Sequence, residues 1–279
     1  MPVSSGENKI IPCALCGSLD FKQTLACEGF SFVRCKKCYL VQRNPRYSQE
    51  EIIERYSKVY GQDYLSYEIE NEDAFLDLQK LALKDAGFLH LQDKLLVKND
   101  PPAILDIGCA TGALLAVLRE KGWEAKGVEI SPCAFYAREN RALDVKSLPL
   151  EECNFAPESF DVILASHLIE HLNDPRSFLA EVYRILKKSG YVFITTPNIS
   201  GFQARLYAGA WRSAIFDHLY LFSKGTLSKM LKGSGFKIES CRTWGGLAKG
   251  SVPFWLKKIA DRLAKIFGFG DVMIYRVKK

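Results

Sequence analysis

Two C-x2-C pairs, Cys13/Cys16 and Cys35/Cys38, carry the sharpest chemical signal in this chain of 279 residues, and 18 residues (17–34) separate them. A C-x2-C turn points both thiolates to one side of a tight loop. Two such turns facing each other across a short hairpin supply the tetrahedral sulfur shell that zinc accepts. Four cysteines fill that shell, so the spacing predicts a closed structural zinc site that holds together a mini-domain too small for its own core. A catalytic zinc needs an open fourth position, and a redox role needs a βαβ context that this stretch lacks. Gly17 supplies the usual small residue after the first pair, whereas Tyr39 follows the second. The other five cysteines, Cys27, Cys109, Cys133, Cys153 and Cys241, are scattered and read as small buried apolar residues.

A second chemical signal is the turn Asp106-Ile107-Gly108-Cys109-Ala110-Thr111-Gly112, which leads into a helix opening at Ala113. Glycines there let the backbone turn sharply and approach a nucleotide-like cofactor closely. Ala110 stands where a dinucleotide loop wants its second glycine. Glu129, at the end of the next strand, can accept both hydroxyls of a ribose, which suits either NAD or S-adenosylmethionine (SAM). Histidine is the default general base near neutrality, and the chain has four: His90, His167, His171 and His218. His90 has no motif around it and reads as a surface or packing residue.

The elements that must position these residues follow from periodicity. From Ala103 onward, AILDIG, EAKGVEI, FDVILAS and YVFITT alternate with helical patterns, which means βαβ units and a parallel sheet covered on both faces. Ligands in such sheets sit at the carboxyl ends of the strands, near the point where strand order reverses. Upstream, apolar residues from Phe75 to Leu96 recur at helical spacing up to Pro101-Pro102. The domains therefore read as a zinc ribbon over 1–45, bridging or lid helices over 46–102, and a main domain over 103–279 with an acceptor-pocket insertion at about 197–222. A hydrophobic content of 48% with 25% charged residues describes an ordinary globular protein and excludes a disordered or collagenous one. No stretch has the roughly 20 apolar residues of a membrane span, and the start lacks a secretory layout, so the expected compartment is the cytoplasm with reduced cysteines.

LDIGCATGALLAVL, GVEIS, FDVILASHLIEHLNDP and TPN resemble the successive motifs of class I SAM-dependent methyltransferases, in the branch that includes ubiquinone-biosynthesis enzymes. The resemblance covers roughly 103–242. The ribbon together with DHLYLFSKGTLSKMLKGSGFKIES is similar to methyltransferases of sugar and polysaccharide pathways, although Asp217-His218 stands where those enzymes tend to carry Glu-His. The implied fold is the α/β, Rossmann-like sheet with helices on both faces. The implied cofactor is SAM, with Asp106 and Gly108 at its methionine end, Ala110 and Gly112 in close backbone approach, and Glu129 on the ribose. Ile130 would pack on the adenine, Leu150 and Glu151 would reach its edge, and Ser166 would lie near the sulfonium. His167, His171, Asp217 and His218 are the catalytic candidates, and Trp211, Phe216 and Tyr220 are offered as stacking faces for the acceptor. Glu170 reads as a local backbone cap; a Glu-His pair also holds a divalent metal in relatives that methylate catechols.

The expected activity is methyl transfer to a small-molecule acceptor, including a nucleotide-linked or lipid-linked sugar. Alternatives are an RNA methyltransferase with a zinc ribbon, a non-enzymatic ribbon module on a degenerate scaffold, and an oxidoreductase. Residues 201–279 carry 15 basic against 4 acidic side chains, yet residues 1–50 carry only 7 against 4 with no basic stripe, which argues against nucleic acid. The tail SVPFWLKKIADRLAKIFGFG, within 251–270, suits a helix packed on the core or one in peripheral contact with an anionic membrane. DVMIYRVKK after it reads as the final sheet strand.

Overall fold

A computed structural model of the chain describes residues 9–46, 62–97, 100–246 and 253–279. Parts of the expected bridge (47–61 and 98–99) and the first residues of the tail (251–252) lie outside the described residues.

The ribbon is a hairpin of β1 (Phe21–Cys27) and β2 (Phe30–Cys35), extended by β3 (Val41–Arg43). A cysteine turn sits at each end, closed by Gly17 N–H donating to Cys13 O and Tyr39 N–H to Cys35 O. Tyr39 adopts φ +69°, nearly the φ +73° of Gly17, so both turns use the left-handed geometry although only one has glycine. The ribbon does not end there. Its sheet runs β1-β2-β3-β9, and β9 (Tyr220–Leu221) comes from the expected insertion.

Among the described residues three helices follow: α1 (Gln62–Glu70), α2 (Glu72–Asp85) and α3 (Phe88–Leu96). The continuous periodicity predicted across Phe75–Leu96 is broken at Ala86-Gly87, where Gly87 takes φ +82°. Rather than merely bridging, α2 and α3 bury Ala82, Leu83, Phe88 and Leu91 against Ile104, Val162, Leu164 and Phe193, and so form the layer over one face of the main sheet. His90 is exposed on α3, as expected.

The main domain runs β4 (Ala103–Ile107), α4 (Ala113–Glu120), β5 (Glu124–Val128), α5 (Cys133–Arg141), β6 (Asp144–Lys146), β7 (Phe160–Ser166), α6 (Pro175–Ile185) and β8 (Leu186–Pro197). It continues through α7 (Phe202–Tyr207), β9, α8 (Lys224–Gly233), β10 (Lys237–Trp244), α9 (Phe254–Phe267) and β11 (Val272–Lys278). The start of α6 is set by Asp174, whose carboxylate accepts from the backbone N–H of Arg176 and Ser177 ahead of a proline first turn. A Ser223/Thr226 capping box starts α8. The sheet order is β10-β11-β8-β7-β4-β5-β6. Five strands, β8 to β6, are parallel; β11 is antiparallel to both its neighbours, so the sheet is mixed rather than wholly parallel. The long β10–β11 connection lets β11 tuck between β8 and β10, where Met273, Ile274, Tyr275 and Val277 are buried.

Alternating side chains divide the core. Leu105, Ile163 and Ile194 face α6 and α8, while Ile104, Val162 and Phe193 face α2 to α4. The first of these layers extends to Cys13, Leu15, Cys35, Cys38 and Leu40, so the mini-domain borrows a core from the main domain. Of the scattered cysteines, Cys109, Cys133 and Cys153 are buried as expected, whereas Cys27 and Cys241 are only half-buried.

Candidate cofactor, acceptor and metal sites

Strand order reverses between β4 and β7, and their carboxyl ends frame a narrow cavity lined by Leu83, Asp106, Leu164, Ala165, Ser166 and Thr195. The turn after β4 is pinned by Gly108 and Cys109 N–H donating to Val128 O at 2.8 and 3.3 Å. Gly108 has φ +76°, and a Cβ there would meet only Leu168, at 3.7 Å, so this residue is needed for its backbone angle. Gly112 has another reason. A Cβ at that position would come within 2.5 Å of Leu143 and 3.2 Å of Ala137, so besides holding its own φ of +76° this glycine lets α4 pack beside α5. Ala110 takes φ +46°, which an alanine tolerates at some cost.

Glu129 accepts from the backbone N–H of Ala110 at 3.0 Å and of Ser131 at 2.8 Å, one on each carboxylate oxygen. It thereby ties the glycine loop to the end of β5 while each oxygen keeps lone-pair capacity for a ribose. Asp106 is enclosed, and burial, helped by the charge of Glu129, pushes its carboxyl up to about 8. Ile130 is 60% exposed, an apolar side chain next to Glu129. Leu150 and Glu151 begin a short 3-10 turn in which Leu150 is buried in the core and Glu151 is exposed. Tyr64 of α1, which the sequence did not single out, is close enough for the charges of Glu68, Glu129 and Cys133 to add to its burial in pushing its hydroxyl up. Nearby, Glu72 pairs with Arg141 of α5. Helix α1 thus stands beside the glycine turn and Glu129.

Past β7 the chemistry changes from backbone to side chain. His167 sits at φ +51°, a left-handed angle costing a branched or ring-bearing residue about 1–3 kcal/mol, at the place where a reacting group is expected. Its Nδ1 lies 3.3 Å from Glu170 Oε1, and Thr196 Oγ1 donates to Glu170 Oε2 at 2.9 Å. Glu170 is fully enclosed and serves as the hub of this cluster rather than as a backbone cap. Burial would raise its carboxyl, but the His167 hydrogen bond and the fields of the three histidines hold it down to about 2. The i, i+3 spacing of His167 and Glu170 on one turn was the only sequence signal for this role.

His171 Nδ1 faces Asp217 O at 3.0 Å, and His218 Nδ1 faces Ser213 O at 2.8 Å. A carbonyl only accepts, so each Nδ1 carries the proton and each Nε2 is left as the basic nitrogen. The two rings meet edge to face at 4.6 Å. Burial lowers His218 to about 4 against the opposing pull of Glu170, so it is neutral at pH 7. Asp217 contributes its carbonyl. Glu170, His171 and His218 also bring one donor atom each within 4.8 Å of one another, a spacing that suits a cation as well as a proton relay.

The three aromatic residues are not acceptor-stacking faces. Trp211 is buried with Nε1 donating to Asp271 at 2.6 Å. Phe216 lies under the Arg43 guanidinium and against Phe30, and Tyr220 lies under Arg46 while its hydroxyl donates to Asn173 O. Their rings are spent on joining the ribbon to the insertion. Arg43 also donates to Phe216 O and Arg46 to Asn173 O, so two ribbon arginines buttress the residues beside His171 and His218.

In the ribbon, Cys13 and Cys38 Sγ lie 3.4 Å apart, Cys16 and Cys35 Sγ 3.5 Å apart, and all four fall within 4.8 Å of one another. Tetrahedral zinc with 2.3 Å bonds requires sulfurs roughly 3.8 Å apart. No disulfide joins them, and the four sulfurs fit a zinc ion once the two close pairs, at 3.4 and 3.5 Å, open by a few tenths of an ångström. For Cys35, burial is outweighed by hydrogen bonds from the backbone at Lys37 and Cys38, which bring its thiol down to about 7.

The model of a family described as a methyltransferase domain matches residues 80–241, more than half of the chain. Among curated proteins, a ubiquinone biosynthesis O-methyltransferase of Idiomarina loihiensis is 29% identical over 102 residues, covering 34% of this chain and 42% of that one. One of Pelagibacter ubique is 33% identical over 100 residues, with the same coverage. The chain thus spans about two fifths of the length of these relatives. Among solved structures, a SAM-dependent methyltransferase from Archaeoglobus fulgidus superposes with a TM-score of 0.55 at 21% identity, over 76% of this chain and 99% of that one. One from Thermotoga maritima gives 0.52 at 22% identity, over 76% and 97%. These likenesses establish the α/β, Rossmann-like methyltransferase fold.

Proposed function

The chain belongs to the methyltransferase-domain family and is a SAM-dependent methyltransferase, and from that premise we propose that its acceptor is a small molecule, of the nucleotide-linked or lipid-linked sugar class. When bound, SAM supplies an electrophilic methyl group on a sulfonium. Asp106 and the backbone at Gly108 hold the amino-acid end, Glu129 the ribose hydroxyls, and Ile130 with Leu150 and Glu151 the adenine. Ser166 and the turn at His167 bring the end of β7 toward the reacting centre. In-line transfer requires the acceptor about 3–3.5 Å from the methyl with its lone pair aligned, so positioning dominates.

His171 is the base in this reading, because its Nδ1–H is fixed by Asp217 O and it is only half-buried, leaving Nε2 to take an acceptor proton. His218, neutral and enclosed, orients His171, and Glu170 holds His167. The observation that carries the proposal is this clustering of His167, Glu170, His171 and His218 after β7, next to the cavity bounded by Asp106 and Ser166. The sugar class draws its support from the pairing of a cysteine ribbon with the DHLYLFSKGTLSKML segment. The four cysteines hold a structural zinc.

Calorimetric titration tests the cofactor, and turnover of labelled SAM against sugar nucleotides, lipid-linked sugars and quinol precursors tests the acceptor. SAM binding without NAD binding, with label moving to a sugar acceptor that His171→Gln no longer methylates, is the expected result. Label transfer only to quinol precursors rejects the sugar class.

A further inference from the structure

The tail helix α9 packs on the enzyme with the wrong face for a core helix. Its inward side is Lys257, Ala260, Asp261 and Ala264, at the i, i+3, i+4, i+7 spacing of one helical face. Thr243 Oγ1 donates to Ala264 O at 3.0 Å, Gly246 N–H donates to Asp261 at 2.8 Å, and Lys257 pairs with Asp261. Outward stand Trp255, Ile259, Leu263, Ile266 and Phe267, of which Trp255 is 64% and Phe267 67% exposed. Polar and small residues are thus spent on docking the helix, and its large apolar residues face solvent.

The face continues beyond the helix. Phe267 stacks on Phe269, Phe269 O accepts from Phe202 N–H, and Phe202, Leu206 and Tyr207 of α7 are exposed as well. Cations border it: Lys258 and Arg262 run along one edge of α9, Lys265 reaches back to Asp85 at 2.5 Å, and Arg205 is exposed on α7. An apolar face rimmed by cations, on a block with 15 basic and 4 acidic residues, is the composition of an interfacial helix; pairing with a second copy would set like charges against each other around the rim.

We propose that α9 and α7 seat this face in the headgroup and acyl boundary of an anionic lipid bilayer, with Lys258, Arg262 and Arg205 against lipid phosphates. The residues that dock α9 on the enzyme are not those that would enter lipid, so the helix can do both without unfolding. This inference is independent of the acceptor, though it would put a lipid-linked acceptor within reach.

The test is co-sedimentation of the full chain with vesicles of phosphatidylglycerol and phosphatidylcholine in equal parts, and with pure phosphatidylcholine, at low and high salt. Trp255 fluorescence is read alongside, with SAM affinity as the check on folding. The parent should sediment with anionic vesicles at low salt, shift Trp255 to the blue, and bind pure phosphatidylcholine much more weakly. Neutralising Lys258 and Arg262 to Gln should weaken anionic binding about thirtyfold, at the usual contribution per cation near such a surface. Ile259→Ser with Ile266→Ser should abolish it while SAM affinity is kept. Absence of sedimentation at low salt overturns the proposal. So does undiminished binding by the serine variant, or a serine variant that merely converts a dimer to a monomer, which would make a second copy the occupant.

Discussion

The cofactor side and the ribbon side of this enzyme are built by opposite strategies. From Asp106 to Ser166 the site is made of strand ends and backbone turns supplied by successive βα units, and its key contacts, such as Glu129 to Ala110, span 19 residues. On the acceptor side the contacts are side chain to side chain or side chain to carbonyl across the whole chain: Arg43 to Phe216 spans 173 residues and Arg46 to Asn173 spans 127. A local, backbone-made site tolerates variation elsewhere, whereas a non-local one depends on every element that brings it together. The two sides should therefore fail separately.

Loss of zinc gives the largest predicted effect. Cys35→Ser, or stripping with a strong chelator, should cut turnover below about one thousandth of the parent, because metal binding supplies the ribbon's folding free energy and the ribbon supports the insertion. SAM affinity should stay within about twofold, the usual scale for well-separated sites, because the contacts of Glu129 are made within the loop and do not run through the ribbon. Metal analysis should return one zinc per chain in the parent. Cofactor affinity that falls in step with turnover would dissolve the distinction between the two sides.

Next in size is His171→Gln, for which we expect a loss of about 100- to 10,000-fold in kcat, the usual contribution of a positioned base. Unchanged SAM affinity with the loss confined to kcat would identify a group acting in the transfer step, while a change in KM alone would show a binding role. Glu129→Ala tests the other side. It should weaken SAM by on the order of 2 kcal/mol, the scale of hydrogen bonds to a charged group, with zinc content and thermal stability of the ribbon preserved.

The smallest effect concerns protons, and its sign differs between the two sides. Asp106 is raised to about 8, so its contribution to stability is complete below the unfolded value near 3.8 and is lost as pH rises toward 8. A cofactor ammonium beside it would restore the carboxylate. SAM binding at pH 7 should then release a proton, read from calorimetry in buffers of different ionisation enthalpy. His218, lowered to about 4, contributes stability that is present above 6.5 and lost as pH falls through about 4. Acid should therefore loosen the acceptor side first, which hydrogen exchange at pH 5 can check at Ser213 to Leu221.

How much of this was legible in the sequence follows the same division. The cysteine pairs, the strands from Ala103 onward, the glycine turn and Glu129 announce themselves because residue type and spacing within a short window determine their geometry. Glu170 did not: nothing in HLIEH says that its carboxylate turns inward to meet Thr196, 26 residues away. Trp211, Phe216 and Tyr220 invited a reading as ligand-stacking faces, since aromatic side chains carry no label for whether a guanidinium or a substrate will cover them. Gly112 reads from the sequence as part of the cofactor turn, and only the positions of Leu143 and Ala137 reveal that it has a packing role as well. The exposed side of α9 was equally hidden, because amphipathicity identifies two faces without saying which one the enzyme takes.

The four-stranded sheet of the ribbon is completed by β9 alone, and that has a consequence in time. At about 5–20 residues per second of synthesis, the outer edge of β3 waits roughly 10–35 s between the emergence of Arg43 and that of Leu221. During this interval a nascent chain presents an unpaired strand edge and cysteine thiols able to bind metal. Early metal capture would fold the hairpin but could not cover the edge. Yield of active enzyme in a cell should accordingly respond to zinc supply and to holdase chaperones during translation, and much less to either once the chain has been released.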